Sequence, residues 1–201
     1  MGKPVLRVRV PPVVVPRYHS KPVYGLVGPT GGTEMSVILG PHAAKSVNYG
    51  SKTCALSIPG LMRPLHTYDP GLWVAGHLLN DNLGGSGTDS RNLTPLTQNA
   101  NKRHSKYEDR LKRACESADL YHRNHPTASF WYGVRYKVVV SPITFGGFAP
   151  YSGAPSHITI RARVVRVDKA TKLVSDLPLI DKMRNYSFGP VDIHNDDADL
   201  V

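Results

Sequence analysis

The stretch Trp73 to Lys112, WVAGHLLNDNLGGSGTDSRNLTPLTQNANKRHSKYEDRLK, decides how the rest of the chain is read. It opens on an apolar run, Leu72 to Leu79, with one polar interruption at His77. A short apolar run bounded by turn signals predicts a strand. Gly84-Gly85-Ser86-Gly87 predicts a hairpin loop, because it lacks the Lys-Ser/Thr of a phosphate-binding loop. Asn92-Leu93-Thr94-Pro95 resumes an extended path, and a helix is expected from near Thr97, with no Gly or Pro from Gln98 to His125. Tyr107, Leu111, Ala114 and Ala118 fall at i, i+4, i+7 and i+11 and form its apolar stripe. Asn101, Ser105, Glu108 and Lys112 repeat that spacing on the adjoining face. His77 on the strand should therefore meet Asn101 and Glu108 of the packed helix in one pocket.

Beyond this stretch, two segments alternate as strands with one apolar face. Tyr132, Val134, Tyr136, Val138 and Val140 alternate with Arg135 and Lys137, and Ile158, Ile160, Ala162 and Val164 with Arg161 and Arg163. The expected fold class is α+β: an antiparallel β-sheet and a hairpin-helix unit with one principal helix. Residues 1–60 read as an N-terminal strand (Leu6, Val8, Val10) and a Pro/Gly-rich arm packed on the main domain, in which Val13 to Val15 is at most an edge piece; from Lys21 to Gly60 the signals are weak, and a small N-terminal subdomain is the alternative to a wrapping arm. Residues 61–190 form the main domain and 191–201 a loose acidic tail.

The 201 residues carry 25 Lys and Arg against 15 Asp and Glu, a formal charge of +10, which points first to nucleic acid and second to an anionic surface. No apolar stretch is long enough for a membrane span, and MGKPVLRVRV has no apolar core of a secretory signal. Cys54 and Cys115 exclude a disulfide framework and a Cys-built zinc site; two free thiols are expected, with one bridge as the alternative.

The selected residues make coherent chemistry. A neutral imidazole takes a proton from water near pH 7. A hard cation such as Mg²⁺ accepts one or two protein oxygens and keeps water and phosphate for the rest. Gly76-His77, Asn92-Leu93-Thr94-Pro95, Asn101 nine residues after Asn92, and Glu108 seven further on resemble the active-site motif of DNA/RNA non-specific endonucleases, members of the ββα-metal (His-Me finger) nucleases. The resemblance implies His77 as general base, Asn101 as ligand of Mg²⁺ or another divalent cation such as Mn²⁺, and Glu108 as a second metal-side or catalytic helper. Asn92 is then a supporting residue behind the site. Val74-Ala75 stand where the best-known members carry Asp-Arg. The variant also resembles C-terminal toxin domains of bacterial polymorphic toxins and contractile-injection effectors. That setting implies delivery into a target-cell cytoplasm and a cognate immunity protein.

Arg91 and Arg63, flanking the motif, are candidates for contacting the scissile phosphate. Lys112, Arg135, Lys137, Arg161 and Arg163 are candidates for nucleic-acid backbone contacts, DNA before RNA. Glu108 as a solvated partner of Lys112 is the competing assignment for that carboxylate, and His104 is read as structural. The alternative function is a non-catalytic basic nucleic-acid-binding domain on the same fold.

Overall fold

The computed structural model describes residues 20–41, 50–52, 57–147, 149–178 and 180–195. Leu6 to Val10, Val13 to Val15, Cys54 and residues 196–201 lie outside them. The architecture is α+β, and every strand pairing among the described residues is antiparallel. The main sheet takes β1 (Val23–Tyr24), β4 (Glu34–Leu39), β7 (Phe130–Val140), β8 (His157–Asp168) and β10 (Phe188–His194) in that order, with β9 (Val174–Asp176) also paired to β8. A small ladder joins β2 (Val27–Gly28) and β3 (Gly31–Gly32), and a second joins β5 (Trp73–His77) and β6 (Leu93–Thr97). The helices are α1 (Pro59–Tyr68) and α2 (Gln98–Asn124).

One sheet face carries the core. Tyr136, Val138, Ile158, Ile160 and Ala162 are fully buried and pack with Leu111, Ala114 and Cys115 of α2. The two-residue alternation of β7 and β8 supplies the sheet side of this contact and the helical spacing of α2 the other. Cys115 sits in that core, and burial pushes its thiol up to about 12, so it is no nucleophile.

Two parts of the chain differ from expectation. Within the expected arm, β4 is an interior strand between β1 and β7, with Met35, Val37 and Leu39 buried. At the expected tail, Val191 to His194 pair with β8 instead of hanging loose, and Asn195 is buried. Asn195 latches the sheet to the hairpin: its Oδ1 accepts from Thr97 N at 2.9 Å and its Nδ2 donates to Pro155 O at 2.8 Å. Thr97 in turn caps α2, its hydroxyl accepting from Ala100 N at 3.1 Å.

Asn195→Ala removes the acceptor of a buried amide and the donor to a buried carbonyl. Urea unfolding should show a loss of about 2–4 kcal/mol; an unchanged midpoint and slope would contradict the latch.

Candidate functional site

The β5–β6 ladder ends where His77 faces Leu93. One further backbone bond follows, Leu78 N to Asn92 O at 2.8 Å. The Asn92 side chain then continues the pairing: Oδ1 accepts from Leu79 N at 2.9 Å, and Nδ2 donates to Leu79 O and Ser86 O at 3.0 Å each. The returning loop runs so close that a Cβ on Gly85 would lie 1.6 Å from Leu79 O, so glycine is required there. Asn92, fully buried, thus fixes the end of β5 and the direction in which the chain leaves it.

Between α1, β5 and α2 lies a cleft of about 390 Å³, walled on one side by Trp73, Val74 and Ala75. Its polar lining is His66, His77, Asn80, Asn101, His104, Ser105 and Glu108. Three residues selected from the sequence, His77, Asn101 and Glu108, therefore share one cavity.

His77 is half-buried, and its Nε2 lies 3.2 Å from Ser51 O. A carbonyl only accepts, so Nε2 carries the hydrogen and the ring's lone pair is on Nδ1. Burial lowers the imidazole pKa, against the Ser51 bond and the Asp81 charge. The ring is accordingly neutral at pH 7, the form that accepts a proton.

Glu108 is not a solvated partner of Lys112. It is 3% exposed, and Lys112 Nζ instead pairs with Asp109 Oδ1 at 3.0 Å. Glu108 Oε1 accepts from Asn80 N at 3.0 Å and so ties the loop after His77 onto α2. Burial pushes its carboxyl up to about 8, against the Asn80 hydrogen bond and the Lys112 charge. A cation beside it would favour the ionised form.

His104 forms the back wall: its Nε2 shares a 2.6 Å hydrogen bond with the Tyr136 hydroxyl, and burial lowers it to about 4. His66 was not selected from the sequence. Its Nε2 donates to Trp73 O at 3.0 Å, holding α1 against β5. Pro59, Gly60 and Pro64 hide that helix from a pattern reading, although Met62 and Leu65 form its buried side.

Neither flanking arginine lines the cleft. Arg91 grips its neighbour Asp89, Nε to Oδ1 at 3.0 Å and Nη2 to Oδ2 at 2.8 Å, and lies 5.8 Å from the Tyr24 ring centre. Arg63 is exposed on α1, and the residue one turn on, His66, faces the cavity instead. Arg135, Lys137, Arg161 and Arg163 are exposed on the sheet face turned away from α2, remote from this cleft.

Cations of α2 line a groove that adjoins the cleft. Lys102, Arg103 and Lys106 line a groove that shares Ser105 with the cleft. Arg103, Lys106 and Arg110 continue along the helix toward Val191 to Ile193. The signal is present in KRHSKYEDRLKR, although Lys112 is the one cation of that run expected to contact nucleic acid.

Among the described residues, no group of three or more His, Cys, Asp or Glu converges as a metal cage. The Asn101 amide oxygen with the Glu108 carboxylate fits a hard cation that keeps its water and phosphate ligands.

No family model matches the chain, and no curated protein matches it. Among solved structures, a chain described as Sda1 nuclease with bound zinc ion is similar at a TM-score of 0.45 and 12% identity, covering 89% of this chain and 76% of that one.

Glu108 gives a signed pH prediction for protein in EDTA. Its carboxyl pKa rises from 4.5 to about 8 on folding, so between those values the folded form retains a proton that the unfolded form has lost. Stability should be greatest below the lower value and fall as pH rises toward 8, by on the order of 1 kcal/mol per pH unit. Urea unfolding at pH 5, 6, 7 and 8 should show this fall flattened in Glu108→Gln; parallel curves would contradict the buried, protonated acid.

Proposed function

We propose that the protein is a metal-dependent endonuclease that hydrolyses phosphodiester bonds of DNA or RNA with little sequence preference, DNA being favoured. The supporting observation is the cleft itself: a neutral His77 with its tautomer set by Ser51, opposite Asn101 and Glu108, beside a row of α2 cations. The order β5, β6, α2, with His77 closing the first strand, is similar to the ββα-metal arrangement that the motif implies.

In this mechanism His77 Nδ1 takes a proton from a water molecule whose oxygen attacks phosphorus, the bond to the 3′-oxygen breaks, and the leaving oxygen takes up a proton from solvent water to become the 3′-hydroxyl. Asn101 and Glu108 would hold Mg²⁺ or Mn²⁺, which supplies stabilisation of the negative charge gathering on the phosphate. Asn92 holds His77 at the strand end, and Trp73, Val74 and Ala75 keep one wall dry. Lys102, Arg103, Lys106 and Arg110 grip the sugar-phosphate backbone, which carries no base information and makes binding salt-dependent. In the toxin setting, the chain acts as a delivered effector in a target cell's cytoplasm, and an immunity protein shields the producer.

The test is degradation of plasmid DNA and total RNA with Mg²⁺, Mn²⁺ or EDTA. His77→Ala should slow cleavage by roughly 10²–10⁴, and Asn101→Ala should raise the metal concentration required. Nucleic acid that is shifted but intact, equally with EDTA and with His77→Ala, would replace catalysis with simple binding. Arg91→Ala separates the cleft from the flanking arginines: with its guanidinium held by Asp89 outside the cavity, cleavage should proceed at the wild-type rate, and a rate loss as large as that of His77→Ala would overturn this placement.

A further inference from the structure

The two central strands put like charges side by side. In the β7–β8 register Arg135 lies directly opposite Arg163, and Lys137 directly opposite Arg161. All four side chains are exposed. Directly paired residues on one face have Cβ atoms about 5 Å apart, and like charges in that position destabilise a sheet. Successive cations on a strand are separated by about 7 Å, two residues of rise. The result is a compact rectangle of four positive groups.

The fold does little to neutralise it. Lys137 Nζ pairs with Glu34 Oε2 at 2.9 Å, but both side chains are about half exposed, 51% and 49%. Such a pair contributes little. Arg135, Arg161 and Arg163 form no ion pair among the described residues. Three other arginines are matched: Arg91 with Asp89, Arg123 with Asp119 and Arg166 with Asp181. The other acids near the rectangle are marginal: Asp192 accepts from the Thr159 hydroxyl, and Asp176 is opposite Val165. Two more cations, Lys169 and Lys172, cover Trp131 at one end of the two strands.

This rectangle and the cleft are on opposite sides. Tyr136, between Arg135 and Lys137, points inward and meets His104 of α2. The sheet and α2 therefore stand between the four cations and the cavity. A short, stiff duplex engaged along α2 cannot also reach them.

We propose that the outer face of β7 and β8 is a second nucleic-acid-binding surface, which holds a separate backbone segment through Arg135, Lys137, Arg161 and Arg163. Three of the four are arginines, whose planar forks suit phosphate oxygens. A protein-protein interface would place apolar anchors at its centre and deplete charge there, whereas this centre is entirely cationic. The assignment of nucleic acid rests on the proposed function, and the surface extends it: one molecule holds one segment at the cleft and a second behind the sheet.

The experiment uses the full chain carrying His77→Ala, in EDTA, with a short labelled DNA duplex, followed by sedimentation velocity and anisotropy. Two duplexes per protein are expected. Replacing Arg135, Lys137, Arg161 and Arg163 by Gln should leave one, and should remove roughly 0.9 per lost phosphate contact from the salt dependence, about 3–4 in total. Arg135→Gln with Arg163→Gln should remove about half of that. Melting curves monitor folding; relief of the opposed charges should leave the variants at least as heat-stable as the parent. Unchanged stoichiometry and salt dependence in the folded variants would overturn the proposal, as would a parent that binds only one duplex through α2. Plasmid cleavage by protein with His77 intact is scored separately, so failure of the nuclease reading with the second duplex still bound is a distinct result.

Discussion

The candidate site depends on one buried amide. A β-ladder gives each backbone group a partner only while two strands run side by side, and β5 and β6 separate just after His77. The side chain of Asn92 fills that gap, presenting one acceptor and one donor to Leu79 as a partner strand would. Replacing it by an apolar residue would strand buried backbone groups, each at a cost of about 1–3 kcal/mol. Because the pairing persists for one more residue, the chain turns sharply at Asn80, and its N–H reaches Glu108. His77, the loop and α2 are thereby set in one frame.

The electrostatics follow from that frame. The cleft is half closed by apolar residues, so burial drives both titrating groups toward their neutral forms: His77 downward and Glu108 upward. Charge is supplied from outside the cavity, by the cations of α2. This keeps a neutral imidazole in the cavity apart from the cationic groove along α2. Arg91, locked to Asp89, does not intrude.

Much of this was legible in sequence. The alternation of β7 and β8 and the stripe of α2 are strong because each element has one wet and one dry face. The spacing from Gly76-His77 to Glu108 correctly gathered three cleft residues. β4 was hidden because Ile38 is apolar on the face where a polar residue would mark alternation; it joins Trp131, Val165 and Val167 in a small outer cluster. β10 was hidden by its acidic sequence context, and α1 by its prolines. Arg91 and Arg63 flank the motif yet do not line the cleft: proximity in sequence says nothing about which way a guanidinium turns, and Arg91 turns to Asp89. Likewise, alternation places Arg135 and Lys137, and Arg161 and Arg163, opposite the apolar row of each strand, but only the fold makes the two strands neighbours.

The latch at Asn195 has a consequence in time. Its bond to Thr97 spans 98 residues of sequence, and it secures the junction from which α2 starts. During synthesis at roughly 5–20 residues per second, β5, β6 and the start of α2 precede their fastener by about 5–20 s. For that interval the nascent chain carries the cleft's side chains without the contact that fixes their mutual bearing. Completion of the cavity is thus coupled to arrival of the sheet's last strand, so a chain truncated before Asn195 would lack a finished site.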